Sequence, residues 1–153
     1  MNRRQQIELS PAEVASYLPA AKTIQLCSNG RGGYPHVVPM WFVADADHTV
    51  WMTTYGKSQK ALNLARDPKV ALLVESGVTY DTLKGVLIRG EAVLINDIDT
   101  VVGILKRIHE KMSGSFPEGI DDALRHQARK RVAIKIRPLR IASWDHGKLG
   151  GVY

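Results

Sequence analysis

Between Trp51 and Val70 the chain reads WMTTYGKSQKALNLARDPKV, its densest set of side chains able to grip an anion. Thr53 and Thr54 close a strand-like run, Gly56 turns the chain, and Ser58 has the type and position of a helix N-cap. The first N–H groups of a helix lack an intrahelical acceptor. With the Ser58 hydroxyl and the ammonium groups of Lys57 and Lys60, they suit a phosphate dianion. The same residues also fit a capped turn with two solvated lysines, and spacing alone leaves both open.

No second chemical motif stands out. His36, His48, His109, His126 and His146 lack HxH or HExxH spacing, so no metal site is expected. His146 follows Asp145 in the DHGK segment, a setting for acid–base chemistry or for a hydrogen-bonded structural histidine. Cys27 lies in an expected strand and is read as a small buried hydrophobe. No catalytic residue is assigned. One cysteine builds neither a disulfide framework nor a four-ligand zinc site, and a reducing, cytoplasmic setting is expected.

These residues need a scaffold, and the hydrophobic pattern supplies one. Ser10, Pro11 and Glu13 form a capping box with proline at the first helical position, predicting a helix that ends before Pro19. KTIQLCS, YPHVVPMWFVA and HTVWMTT, separated by NGRGG and DAD, read as an antiparallel meander. Pro39 marks an edge or bulge, with a gap in pairing expected at residues 38 to 41. Ser58 to Arg66 is a short helix stopped by Asp67-Pro68. KVALLVE and DTLKGVLIRGEAVLIN read as strands, the second with bends or bulges at Gly85 and Gly90.

Beyond Asp99, the residues Val101, Val102, Leu105, Ile108 and Met112 recur at helical spacing, and a further helix covers Asp121 to Arg129. RVAIKI, a turn at Arg137-Pro138, RIASW and the DHGKLGGVY tail close the chain. The expected fold is mainly β: a six- to seven-stranded antiparallel barrel with peripheral helices. It is expected as one domain over residues 1–153, with a helical segment at 1–21, the main strands at 22–97, a helical cover at 98–130 and closing strands at 131–153.

Composition sets outer limits. With 153 residues, 44% of them hydrophobic and 24% charged, the chain suits a globular domain and excludes a disordered tail. MNRRQQIELS lacks the apolar core of a signal peptide, and no apolar run reaches the roughly 20 residues of a membrane span. A net charge of +6 favours an anionic partner. The cations are scattered in short groups such as Lys106-Arg107 and Arg129-Lys130-Arg131, so a nucleic-acid partner is not expected.

The run from Thr53 and Thr54 through Ser58, Lys60, Ala61, Asn63, Leu64, Asp67 and Pro68 to Val70 resembles the pyridoxamine 5′-phosphate oxidase-like split barrels, which bind flavins. TIQLCSNGRGGYPHVVPMWFV resembles that family's first hairpin, and LKGVLIRGEAVLIND its later strand. The RIASWDHGKLGG ending is similar to small members related to deazaflavin-dependent reductases.

The resemblance implies a homodimer with FMN, or alternatively the deazaflavin coenzyme F-420, between subunits, and hydride transfer to or from a small unsaturated substrate. Residue by residue, it implies phosphate ligation by Ser58 and Lys60 with Thr53, Thr54 and Lys57 as neighbours. It implies ring contacts from Met40 and Trp41, and a weaker contribution from Trp144 and Lys148. The arginine-rich C-terminal segment of the parent oxidase is missing, so oxidation of pyridoxamine phosphate itself is not expected. A non-catalytic flavin carrier, or a haem-binding split barrel, is the remaining reading.

Overall fold

The computed structural model describes residues 2–115 and 117–151; the last two residues of the expected tail lie outside them. Among the described residues, seven alternating runs become strands β1 (Thr23–Asn29), β2 (Pro35–Trp41), β3 (Val43–Ala44), β4 (Val50–Tyr55), β5 (Lys69–Ser76), β6 (Lys84–Ile95) and β7 (Arg131–Asp145). All pair antiparallel in one sheet ordered β2-β1-β5-β6-β7-β4-β3. Five helices accompany them: α1 (Arg3–Gln6), α2 (Pro11–Ala20), α3 (Gln59–Arg66), α4 (Ile98–Ser113) and α5 (Ile120–Ala128). None of these is long and apolar enough to cross a membrane.

The strand order forces the sheet to curl. Its two edges, β2 and β3, are separated in sequence by Phe42 alone. Successive Cα atoms are about 3.8 Å apart, so Trp41 and Val43 lie within roughly 7.6 Å and the edges must meet there. Phe42 is fully buried at this crossover. The Lys111 ammonium of α4 sits 3.9 Å from its ring centroid and donates to its carbonyl at 3.0 Å. Burial pushes that ammonium down to about 8.

The curled sheet encloses Ile24, Leu26, Met52, Leu72, Ile88 and Ile134, with Leu18 of α2 and Leu64 of α3 packed into the same core. A second core lies outside the barrel, where Val101, Ile104 and Ile108 of α4 and Leu124 of α5 cover Val43 and Ala133.

Several expectations are corrected. α2 has the expected Ser10–Glu13 capping box but runs to Ala20 through Pro19. Pro19 and Ala15, whose carbonyl loses its helical donor, are both exposed, so that carbonyl is open to solvent and the proline is tolerated there. YPHVVPMWFVA is two strands, because the chain changes sheet edges at Phe42. Pairing of β2 with β1 is unbroken through Trp41; what β2 lacks is a partner on its other side.

β7 does not turn at Arg137-Pro138. It continues for 15 residues and absorbs the proline in a bulge. Arg89 faces Arg140 while Gly90 faces Pro138, leaving Leu139 without a partner. A Cβ at Gly90 would come 2.6 Å from the Arg137 carbonyl oxygen, so glycine marks a bulge there as expected.

Gly85 has another reason. It lies opposite Trp144, and a Cβ there would enter the indole's six-membered ring, 2.7 Å from Cε2. Gly85→Ala is expected to cost about 1–3 kcal/mol through overpacking, read as a fall of several degrees in Tm. An unchanged Tm would mean that Trp144 has free room to move.

Candidate functional site

The sheet leaves one break in the barrel wall. β3 pairs only with Val50 and Trp51 of β4, so Met52 to Tyr55 pair with β7 on one side and are open on the other. β2 likewise has its outer side open. Two strand edges with unspent N–H and C=O groups therefore flank the break.

At the end of β4 the chain turns into α3, capped by Ser58 as expected: its Oγ accepts from the Ala61 N–H at 3.4 Å. Thr54 Oγ1 and Ser58 Oγ are 3.1 Å apart, and the Lys60 ammonium donates to Thr54 Oγ1 at 3.3 Å. The corner thus gathers two hydroxyls and a cation beside the uncommitted first N–H groups of α3. Among the described residues no carboxylate pairs with Lys57 or Lys60.

The corner is firmly seated. Asn63, fully buried on α3, donates to Ser28 Oγ of β1 at 3.2 Å and accepts from the Gln59 side chain at 2.8 Å. Asp67 ends the helix, and hydrogen bonds from the Asn29 side chain and the Lys69 N–H hold its carboxyl below the usual range.

Thr53 alternates with Thr54 and opens onto the other face of β4. There a cleft of about 620 Å³ is walled by Met40 and Trp41 of β2, Thr53, Arg131 and the apolar sides of α4 and α5. Lys57 instead lines an adjoining cavity of about 550 Å³ with Tyr55 and the Arg129-Lys130-Arg131 run. The structure therefore brings Thr54, Ser58 and Lys60 together, places Met40, Trp41 and Thr53 in one cleft, and sets Lys57 beside them.

Trp144 and Lys148 are not brought to this group within the chain. Thr53 faces Ala133 near the start of β7, whereas Trp144 faces Gly85 at its far end. Lys148 pairs with Glu13 of α2 at 2.7 Å and donates to the Glu8 carbonyl at 2.8 Å.

The Lys148 hydrogen bond, backed by the Ser10 N–H, holds the Glu13 carboxyl at about 2. A carboxyl depressed in the fold adds stability above its ordinary value near 4.5 and loses it as pH falls towards 2. Acid loosening of α2 is accordingly expected within that window. In Lys148→Ala the Glu13 carboxyl should titrate at higher pH by NMR, and an unmoved midpoint would contradict the pairing.

Sequence reasoning missed Arg131, Gln127 and the α4–α5 wall. Leu105 and Ile108 carry the expected helical period but also face the cleft. Arg131 matters because register sets it opposite Tyr55, its guanidinium 4.5 Å from that ring. The signal available in sequence was the short basic run itself.

An open antiparallel barrel, broken between two strand edges beside a capped helix, is a split barrel. The chain belongs to the pyridoxamine 5′-phosphate oxidase family, whose sequence pattern matches residues 10–145. Over 100% of its length it is similar to a conserved hypothetical protein of Mycobacterium tuberculosis, Rv2991, at 35% identity and TM-score 0.90, covering 95% of that chain.

An F420 reductase matches at 23% identity and TM-score 0.66, over 83% of this chain and 94% of that one. The haem storage protein HutZ of Vibrio cholerae matches at 17% and 0.68, over 89% and 96%. These last two share the fold. No curated protein matches the sequence.

Proposed function

We propose that this protein is a flavin-type oxidoreductase, holding FMN, or a deazaflavin in its place, in the break between β2 and β4. The observation that carries this reading is the juxtaposition of two open strand edges with a corner whose cation has no acidic partner among the described residues. The residues present fit such a group. Ser58, Lys60 and Thr54 would hold its phosphate through charge-assisted hydrogen bonds, and Lys57 would add positive potential.

The outer edge of β2 at Met40 and Trp41 would offer backbone donors and acceptors to the ring's polar rim. The bound ring supplies hydride acceptance and donation, while the chain binds, orients and excludes water. Leu105, Ile108 and Leu124 line the opposite wall, which suits a flat, apolar substrate face, and Gln127 adds one polar group to it. No side-chain nucleophile is required.

A second copy of the chain completes the reading. Pro39, Gln25, Leu73, Leu87 and Ala142 stand side by side across β2, β1, β5, β6 and β7 on the outer face. This largely apolar row runs to the β2 edge that borders the cleft, which favours a homodimer with shared sites. Leu73→Arg should give a species of half the mass by sedimentation; an unchanged mass would exclude that face as the interface.

Absorbance of the purified protein and titration with FMN and a deazaflavin side by side test the function. Flavin or deazaflavin binding, with reduced-cofactor consumption in the presence of an unsaturated substrate, is the expected result. Binding without turnover would make the protein a carrier, and a Soret band would redirect the assignment to haem.

A further inference from the structure

We propose that the cavity beside Tyr55 is a second anion site, taking a phosphate or carboxylate borne by the molecule that occupies the adjoining cleft. It rests on the reading of that cleft as a ligand site. Lys57, Arg129, Lys130 and Arg131 converge on this cavity of about 550 Å³, and no acidic side chain lines it. Like charges gathered in one concavity repel, and an anion between them relieves the repulsion.

Several cations elsewhere on the surface are neutralised. Lys106 pairs with Asp121, Arg107 with Asp45 and Arg125 with Asp99, whereas none of the four has such a partner among the described residues. The acid nearest in sequence, Asp97, follows the lining residue Asn96, but its carboxylate is taken by the N–H and hydroxyl of Thr100.

Arg129 and Lys130 follow the C-terminus of α5, where cations complement the helix dipole. That accounts for neither Lys57, which enters from the β4–α3 turn, nor Arg131. The buried Nε of Arg131 has no acceptor, and its guanidinium is kept against the Tyr55 ring. Arg131 also lines the cleft, so the two spaces adjoin through one side chain and one molecule can span them. A guanidinium is suited to clasp a phosphate or carboxylate in two-pronged fashion.

The test titrates inorganic pyrophosphate by calorimetry into the full chain carrying Lys60→Ala, which silences the corner. The same titration is repeated with Arg129→Ala and Lys130→Ala added. Both residues are exposed, and Tm checks that the fold is kept. Kd is expected to rise at least tenfold on removing the two cations. An unchanged Kd, or no binding to either chain, overturns the proposal.

Two further arms identify the source of the anion in the otherwise unaltered chain. If it belongs to the ring compound, the paired substitution weakens FAD at least tenfold and FMN less than twofold. If it belongs to a substrate, FAD and FMN respond alike while pyrophosphate still binds the FMN-loaded protein through Arg129 and Lys130. Lys60→Ala leaving FMN affinity unchanged would sink the corner assignment alone.

Discussion

Lys60→Ala is expected to weaken FMN binding by about 1.5–3 kcal/mol, the range for losing a hydrogen bond to a charged group. That corresponds to a roughly ten- to hundredfold rise in Kd, measurable by quenching of flavin fluorescence. The effect should be large because the Lys60 ammonium has no carboxylate to neutralise it among the described residues and is aimed at Thr54 Oγ1 beside the Ser58 hydroxyl. Riboflavin, which lacks the phosphate, should bind parent and variant alike. If the variant lost FMN and riboflavin equally, Lys60 would be supporting the corner's shape and not gripping a phosphate. An unchanged Kd for FMN would remove the residue from the site.

Phe42→Ala is expected to cost about 3–5 kcal/mol of folding stability, the range for truncating a buried phenylalanine. Phe42 is the single residue through which the chain passes from one edge of the sheet to the other, and it is fully buried. Truncation removes packing from the barrel core and also takes away the ring beneath the Lys111 ammonium. The edges of β2 and β4 that flank the break should then lose their fixed separation, so affinity for FMN should fall along with stability. Chemical denaturation measures the first effect. A loss below about 1 kcal/mol would show that β2 and β3 hold their places without this anchor.

Much of the scaffold was legible because its signals are local. The Ser10–Glu13 capping box, the Ser58 cap and the Asp67-Pro68 stop each depend on residues within a few positions of one another. The alternation of Ile24, Leu26 and Ser28 marks β1 in the same way. Pro39 correctly signalled an edge strand, though its meaning was an open outer side and not a lapse in pairing with β1.

What sequence could not reveal is set by partners far along the chain. That β3 stops after covering Val50 and Trp51, leaving the rest of β4 open, follows from Phe42 carrying the chain across the barrel. That Arg131 faces Tyr55 follows from the pairing of β4 with β7, which are separated by two strands and three helices. Gly85 looked like a bend because glycine in a strand usually means one, and only the position of Trp144 shows otherwise. For the same reason Trp144 and Lys148 carried a resemblance to a site but gave no distance to it. Within one chain they lie at the other end of β7 from Thr53.

The most direct measurement is a crystal structure of the protein grown with FMN. The account predicts phosphate oxygens within hydrogen-bonding distance of Ser58 Oγ and Lys60 Nζ, and the ring lying along the outer edge of β2 at Met40 and Trp41. A phosphate found away from α3, or a ring bound anywhere but the opening between β2 and β4, would contradict it.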